Sequence, residues 1–240
     1  MLPEEQDLLK KLSIADLERA QAYAKDLGQG LKTLRTFPQG VTIFGSARLP
    51  QSDKYCKLAY ELGAMLAQNG HAVVTGGGPG IMEAANHGAF DYGGRSIGLN
   101  ITLQHEQFPN PYLSDCITFE YFFARKVMLA MASKVFVFFP GGFGTMDEMS
   151  EILCLMQEKK MPKMPVFLIG KSFWKNDEKM FKKMVEMGLV SPKDAQIVTA
   201  TNDIKEVVKA ANKIGHPKVS ESFYDGFREA SMLNRTTKKA

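Results

Sequence analysis

Short apolar runs of strand length alternate along the chain with longer segments whose apolar residues recur every three or four positions, and this alternation begins near residue 41. The strand-like runs are 41–45 (VTIFG), 71–75 (HAVVT), 96–101 (SIGLNI), 115–120 (DCITFE), 134–139 (KVFVFF), 165–170 (PVFLIG) and 196–200 (QIVTA). Helical periodicity falls between them, at about 54–69, 80–92, 121–132, 146–160, 174–187 and 203–214. Such alternation predicts an α/β fold: a Rossmann-like, doubly wound parallel sheet of about seven strands with helices on both faces, because right-handed crossovers leave few other arrangements. Ahead of it, Leu8, Leu9, Leu12, Leu17, Ala20, Ala24, Leu27, Leu31 and Leu34 predict an N-terminal helical arm, interrupted by Gly28 and Gly30. The organisation expected is an arm over 1–38, one Rossmann-like domain over 39–215, and a terminal helix with a basic tail over 216–240.

Composition narrows the class without naming it. The 240 residues are 45% hydrophobic and 23% charged, which suits a globular chain with a full core. A net charge of +4, from 30 basic and 26 acidic residues, is too mild for a nucleic-acid or membrane surface and suits a small anionic substrate. Cys56, Cys116 and Cys154 are odd in number and widely spaced, so they read as buried, reduced thiols rather than a disulfide framework or zinc site. His71, His87, His105 and His216 lack metal-binding spacing, and no metal is expected. The acidic start MLPEEQDLLKK has no apolar signal region, so a soluble, cytoplasmic protein is expected.

Ligands of open parallel sheets bind beyond the carboxyl ends of the strands. Three strand-to-helix turns there are suggestive: Gly45-Ser46-Ala47-Arg48, then Gly76-Gly77-Gly78-Pro79-Gly80-Ile81-Met82-Glu83, then Pro140-Gly141-Gly142-Phe143-Gly144-Thr145. Glycines let backbone approach a ligand, and the free N–H groups of a helix start favour an anion. The dinucleotide fingerprint fails, because Ile81 stands where a third glycine or alanine belongs and no acid follows the strand ending near Asn100. The triphosphate loop pattern fails too: Met146 follows Gly144-Thr145, and Pro165 replaces the leading glycine before Gly170-Lys171-Ser172. One phosphate on a small molecule remains.

Two further features have competing readings. Thr145 and Glu148 have the spacing of a capping box, in which Glu148 is merely structural. A carboxylate beside an anion-binding turn is otherwise costly unless it handles a hydroxylated or cationic part of the ligand, and Glu151 lies on the same helical face. Arg125 and Lys126 are either a solvated surface pair or, since two cations near a helix start oppose the helix dipole, are offset by an anionic ligand or a nearby Glu.

The string Pro140-Gly141-Gly142-Phe143-Gly144-Thr145-Met146-Asp147-Glu148, with Arg125-Lys126-Val127-Met128, resembles the P-G-G-x-G-T-x-x-E and R-K-x-x-M patterns of the LONELY GUY family. The turns at Ser46 and at Gly77, Gly78, Gly80, Met82 and Glu83 are similar to the family's other loops. These proteins are cytokinin riboside 5′-monophosphate phosphoribohydrolases, formerly labelled lysine decarboxylases. The resemblance spans about residues 40–170. Two departures are visible: the arm is longer than in short plant-type members, and Phe122-Phe123-Ala124 precede Arg125 where those carry a His-Glu pair.

The resemblance implies hydrolysis of the N-glycosidic bond of a purine nucleoside 5′-monophosphate, such as AMP or an N6-substituted cytokinin type, giving free base and ribose 5-phosphate without a cofactor. It assigns Arg125 and Glu148 as catalytic, and Ser46, Gly77, Gly78, Gly80, Met82, Glu83, Lys126, Gly141, Gly142, Gly144, Thr145 and Glu151 to substrate and phosphate binding. No lysine sits in a context that suggests a pyridoxal Schiff base. The alternative is a non-catalytic carrier of a phosphorylated pterin or nucleotide, similar to molybdenum-cofactor carriers. The partner expected is a small nucleoside monophosphate, with no nucleic acid and no membrane. Surplus apolar residues (Phe122, Phe123, Met128, Met131, Leu153, Leu155 and Met156) point to a homodimer or higher homo-oligomer, as does the family resemblance.

Overall fold

A computed structural model describes residues 13–103 and 108–216. The start of the expected arm and the expected C-terminal helix and tail beyond residue 216 lie outside the described residues. In chain order the elements are α1 (Ile14–Leu34), β1 (Gly40–Phe44), α2 (Lys54–Gln68), β2 (Val73–Thr75), α3 (Ile81–Asp91), β3 (Ser96–Ile101), β4 (Asp115–Phe119), α4 (Phe122–Met131), β5 (Ser133–Phe138), α5 (Phe143–Gln157), β6 (Val166–Ile169), α6 (Lys171–Glu186), α7 (Pro192–Ala195), β7 (Val198–Thr201) and α8 (Ile204–Ile214).

All seven strands join one parallel sheet in the order β4-β3-β2-β1-β5-β6-β7. Strands covered on both faces read as unbroken apolar runs, and β1 and β5 are buried at every position. Successive side chains of β5 serve opposite cores: Phe136 and Phe138 pack with Leu34, Met128, Met156 and Trp174, whereas Val135 and Val137 pack with Cys56, Leu62, Ala85 and Val207. Helices α1, α4, α5 and α6 therefore cover one face, and α2, α3 and α8 the other.

The chain runs outward from β1 to β4, then returns to the middle to lay β5 beside β1. The connections leaving these neighbours part toward opposite faces, and a crevice opens at the carboxyl ends. At its floor the rings of Phe44 and Phe138 stack 4.8 Å apart and 8° from parallel. The short α7 was not foreseen, although its start was legible: Ser191 caps the helix through Asp194 N–H and Pro192 occupies the first turn. Only Cys56 is buried as expected, and burial pushes its thiol up to about 11. Cys116 on β4, an edge strand, and Cys154 on α5 are exposed.

Candidate functional site

The crevice is an open cleft of about 760 Å³. It is lined by the β1 turn (Gly45 to Arg48), by Met82 of α3, by Phe122 and Arg125 of α4, by the β5 turn from Gly141 to Met146, and by Glu148. Ile101, Leu103, Phe173 and Asp177 complete the wall.

Ser46 knits the turns together. Its backbone N–H donates to the Pro140 carbonyl at 3.0 Å, its carbonyl accepts from Ile81 N–H at 3.0 Å, and its Oγ accepts from Arg48 N–H at 3.1 Å. Gly80 has φ +70°, and a Cβ there would collide with the Ser46 carbonyl. The glycine-rich turn after β2 is otherwise occupied with itself: Gly77 N–H donates to Thr75 Oγ1 at 2.9 Å, while the Gly77 and Gly78 carbonyls accept from the Asn110 N–H and side-chain amide. Gly77, Gly78, Gly80 and Glu83 lie behind the cleft wall, and Met82 alone of that expected group reaches its lining.

Helix α5 starts at Phe143, three residues earlier than the periodicity predicts, with Gly142 at its N-cap and no side chain capping it. Thr145 is thus inside the first turn, buried against Gly141, and the capping box with Glu148 does not form. The first N–H groups of a helix have no partner within it. Here the helix start, with exposed Gly142 and Gly144, lines the cleft, and a helix start of this kind favours an anion.

Glu148 follows Gly144 by four residues and so shares its helical face. Burial pushes its carboxyl up to about 7, opposed chiefly by the positive charge of Arg125. The surface-pair reading of Arg125 and Lys126 fails for Arg125, which is 8% exposed. Its Nε–H donates to the Leu99 carbonyl at 2.7 Å, and burial lowers its pKa while the charge of Glu148 opposes that shift. Lys126 and Glu151 engage each other instead of the cleft: Lys126 Nζ sits 2.7 Å from Glu151 Oε2 and 2.9 Å from Asp147 Oδ2. Burial pulls the Lys126 pKa down, but those two partners leave it raised overall.

The structure therefore gathers Ser46, Met82, Arg125, Gly141, Gly142, Gly144, Thr145 and Glu148 around one space. Sequence reasoning missed Phe173 and Asp177, contributed by α6. A signal existed: Gly170, with φ +98°, ends β6 at the same edge of the sheet. Among the described residues, no group of three or more His, Cys, Asp or Glu side chains could hold a metal ion. Among them, no helix is long and apolar enough to cross a membrane.

A family model described as "Possible lysine decarboxylase" matches residues 82–211, more than half of the chain. The chain belongs to the LONELY GUY family. Within this LONELY GUY chain, the matched span takes in Arg125 and the whole Pro140–Glu148 string, and leaves out Ser46 and α1. The chain is 28% identical over 172 residues to cytokinin riboside 5′-monophosphate phosphoribohydrolase LOG1 of Arabidopsis thaliana, covering 70% of this chain and 80% of that protein. A cytokinin riboside 5′-monophosphate phosphoribohydrolase of Rhodococcoides fascians is 26% identical over 180 residues, covering 73% and 90%. Among solved structures, the molybdenum cofactor carrier protein of Chlamydomonas reinhardtii aligns with a TM-score of 0.57 and 25% identity, covering 74% of this chain and 98% of that one.

Proposed function

We propose that the protein hydrolyses the N-glycosidic bond of a purine nucleoside 5′-monophosphate, releasing free base and ribose 5-phosphate. The observation that carries this reading is the placement of a half-buried carboxyl and a buried guanidinium, Glu148 and Arg125, in the same cleft as the uncapped start of α5. The relatives named as phosphoribohydrolases support it.

In this reading Gly142, Gly144 and Thr145 receive the 5′-phosphate and hold the ribose against Glu148. The bond from the anomeric carbon to the base nitrogen breaks with its electron pair leaving on the purine, through an oxocarbenium-like state. Glu148 stabilises that positive charge and takes a proton from the water that adds to the anomeric carbon. Arg125 stabilises the negative charge developing on the departing base. Lys126 acts on this chemistry from behind, by neutralising Asp147 and Glu151 on either side of Glu148.

The likeness to a molybdenum cofactor carrier favours a second reading, in which the cleft binds a phosphorylated pterin or nucleotide without chemistry. A carrier needs the glycine cradle but has no use for the Glu148–Arg125 pair. Incubation with AMP followed by chromatography separates the two: adenine and ribose 5-phosphate appear with the enzyme, and AMP persists with the carrier.

We also propose a homodimer or higher homo-oligomer. Met128, Met131 and Met156, expected among the surplus apolar residues, are taken up by the core. Phe122, Phe123 and Val127 of α4 remain 56%, 43% and 41% exposed, and Phe122 lines the cleft with Phe143, the first residue of α5, which is 96% exposed. Exposed apolar residues concentrated in this way favour an interface.

A further inference from the structure

Helix α1, the arm that precedes the sheet, packs on α4 and is anchored to the junction between β4 and α4. Asp26 is 5% exposed in the middle of this contact. Its carboxyl oxygens accept the backbone N–H of Glu120 at 3.1 and 3.3 Å and that of Tyr121 at 3.0 Å. Tyr121 is the N-cap residue of α4 and supplies no side-chain cap of its own. Two neighbours of Asp26 on α1 strengthen the hold: the Gln29 amide donates to the Thr118 carbonyl at 2.8 Å, and Gly30 lies so close to Met128 that a Cβ would overlap that side chain. Tyr23 sets its ring edge-on to Tyr121 and Phe123, with centroids 4.6 and 5.0 Å away.

A carboxyl group is expensive to bury unless its hydrogen bonds are needed, and the same contact could have been made by an apolar side chain. What an apolar residue could not do is receive two backbone donors at the start of α4. That start is also where the two cations Arg125 and Lys126 run against the helix dipole, so an acidic side chain there offsets their placement. The connection to the cleft is short. Tyr121, held through its N–H by Asp26, accepts the Arg125 N–H on its carbonyl at 3.2 Å.

We propose that Asp26 is a positioning residue for the cleft: from the N-terminal arm it pins the first turn of α4 and so sets where the Arg125 guanidinium lies. Its kinetic consequence rests on the role given to Arg125 above. Arg125 is needed only as the base departs, whereas the phosphate is held by α5, which Asp26 does not touch. Displacing Arg125 therefore lowers kcat and leaves binding alone.

The test uses the full chain carrying Asp26→Ala, assayed with AMP at a temperature where circular dichroism shows it folded. The expected result is a loss of roughly tenfold or more in kcat, a scale at which small misplacements of a catalytic group act. KM and the inhibition constant of ribose 5-phosphate should stay within about twofold. In the NMR spectrum, the Arg125 Nε–H, which donates to Leu99, should lose its protection from solvent exchange. A folded variant with wild-type kcat and an unchanged Arg125 signal would overturn the proposal. If Asp26→Ala does not fold, Asp26→Asn takes its place: it keeps one oxygen for the two donors, so the same kcat-only loss should appear in smaller degree, and wild-type behaviour would overturn the idea. Should the wild-type chain leave AMP intact, the functional reading fails, and the Arg125 signal alone decides whether Asp26 positions that side chain.

Discussion

Gly76 lies beneath Arg125 so closely that a Cβ at the glycine would overlap the guanidinium. The second strand-end glycine run thus does something other than cradle a phosphate: it leaves room for a buried cation that reaches from α4, is fixed by the Leu99 carbonyl, and lines the cleft together with Glu148.

Replacing that glycine should expose the dependence. In Gly76→Ala the new methyl meets the far end of a flexible side chain, so the fold survives while Arg125 moves. Turnover of AMP should drop by about 10²-fold, the scale of a lost charge-stabilising donor. Thermal unfolding of the same variant should remain close to wild type, and full activity would mean that Arg125 does not act from this position.

Glu148→Gln should fold and lose at least about 10²-fold in kcat. Glu148 has its folded pKa raised from 4.5 to about 7, so wild-type kcat should climb as pH rises through about 7, where the carboxyl ionises. The linked stability has the opposite direction. The folded chain holds this proton more tightly than the unfolded chain, so the stabilisation is complete below about 4.5 and is lost as pH rises through about 7. Glu148→Gln, always neutral, should therefore melt higher than wild type at pH 8 and show little difference at pH 5, as measured by calorimetry.

Lys126 tests the electrostatic frame around that carboxyl. Its positive charge lowers the Glu148 pKa, and its ion pairs neutralise Asp147 and Glu151, which raise it. Lys126→Ala should move the acid limb of the pH–rate profile to higher pH while the KM for AMP changes little. An unmoved limb with raised KM would instead make Lys126 a substrate ligand, as its motif position suggests.

Oligomeric state can be probed from α4. Val127 is exposed beside Phe123, so Val127→Glu places a charge on the apolar surface without entering the cleft. Wild type should run on gel filtration above the 26.7 kDa of one chain, and the variant should shift toward it. A wild-type monomer at micromolar concentration contradicts the interface.

Much of the architecture was legible because two-sided burial leaves continuous apolar strands such as VFVFF, and parallel order follows from strand–helix alternation. The cleft was legible where chemistry and backbone coincide, as at Gly142, Gly144 and Glu148. Lys126 and Glu151, expected at the substrate, are joined to each other in an ion pair, which spacing could not foretell because residue type alone does not tell a ligand from a partner. Spacing failed at Thr145, whose capping-box pattern is overridden by a helix that starts one turn earlier. Asp26 left no trace in the sequence, since its partners lie 94 and 95 residues away.

In the proposed reaction the start of α5 binds a phosphate in order to present the ribose to Glu148. Binding energy used in this way appears in kcat/KM, and sites built on buried polar pairing reject analogues that lack the paired group. This is checked by comparing kcat/KM for AMP and adenosine, following release of adenine. A preference of at least about 10³ for AMP is expected, with ribose 5-phosphate as a competitive inhibitor. Comparable values for the two substrates would contradict it.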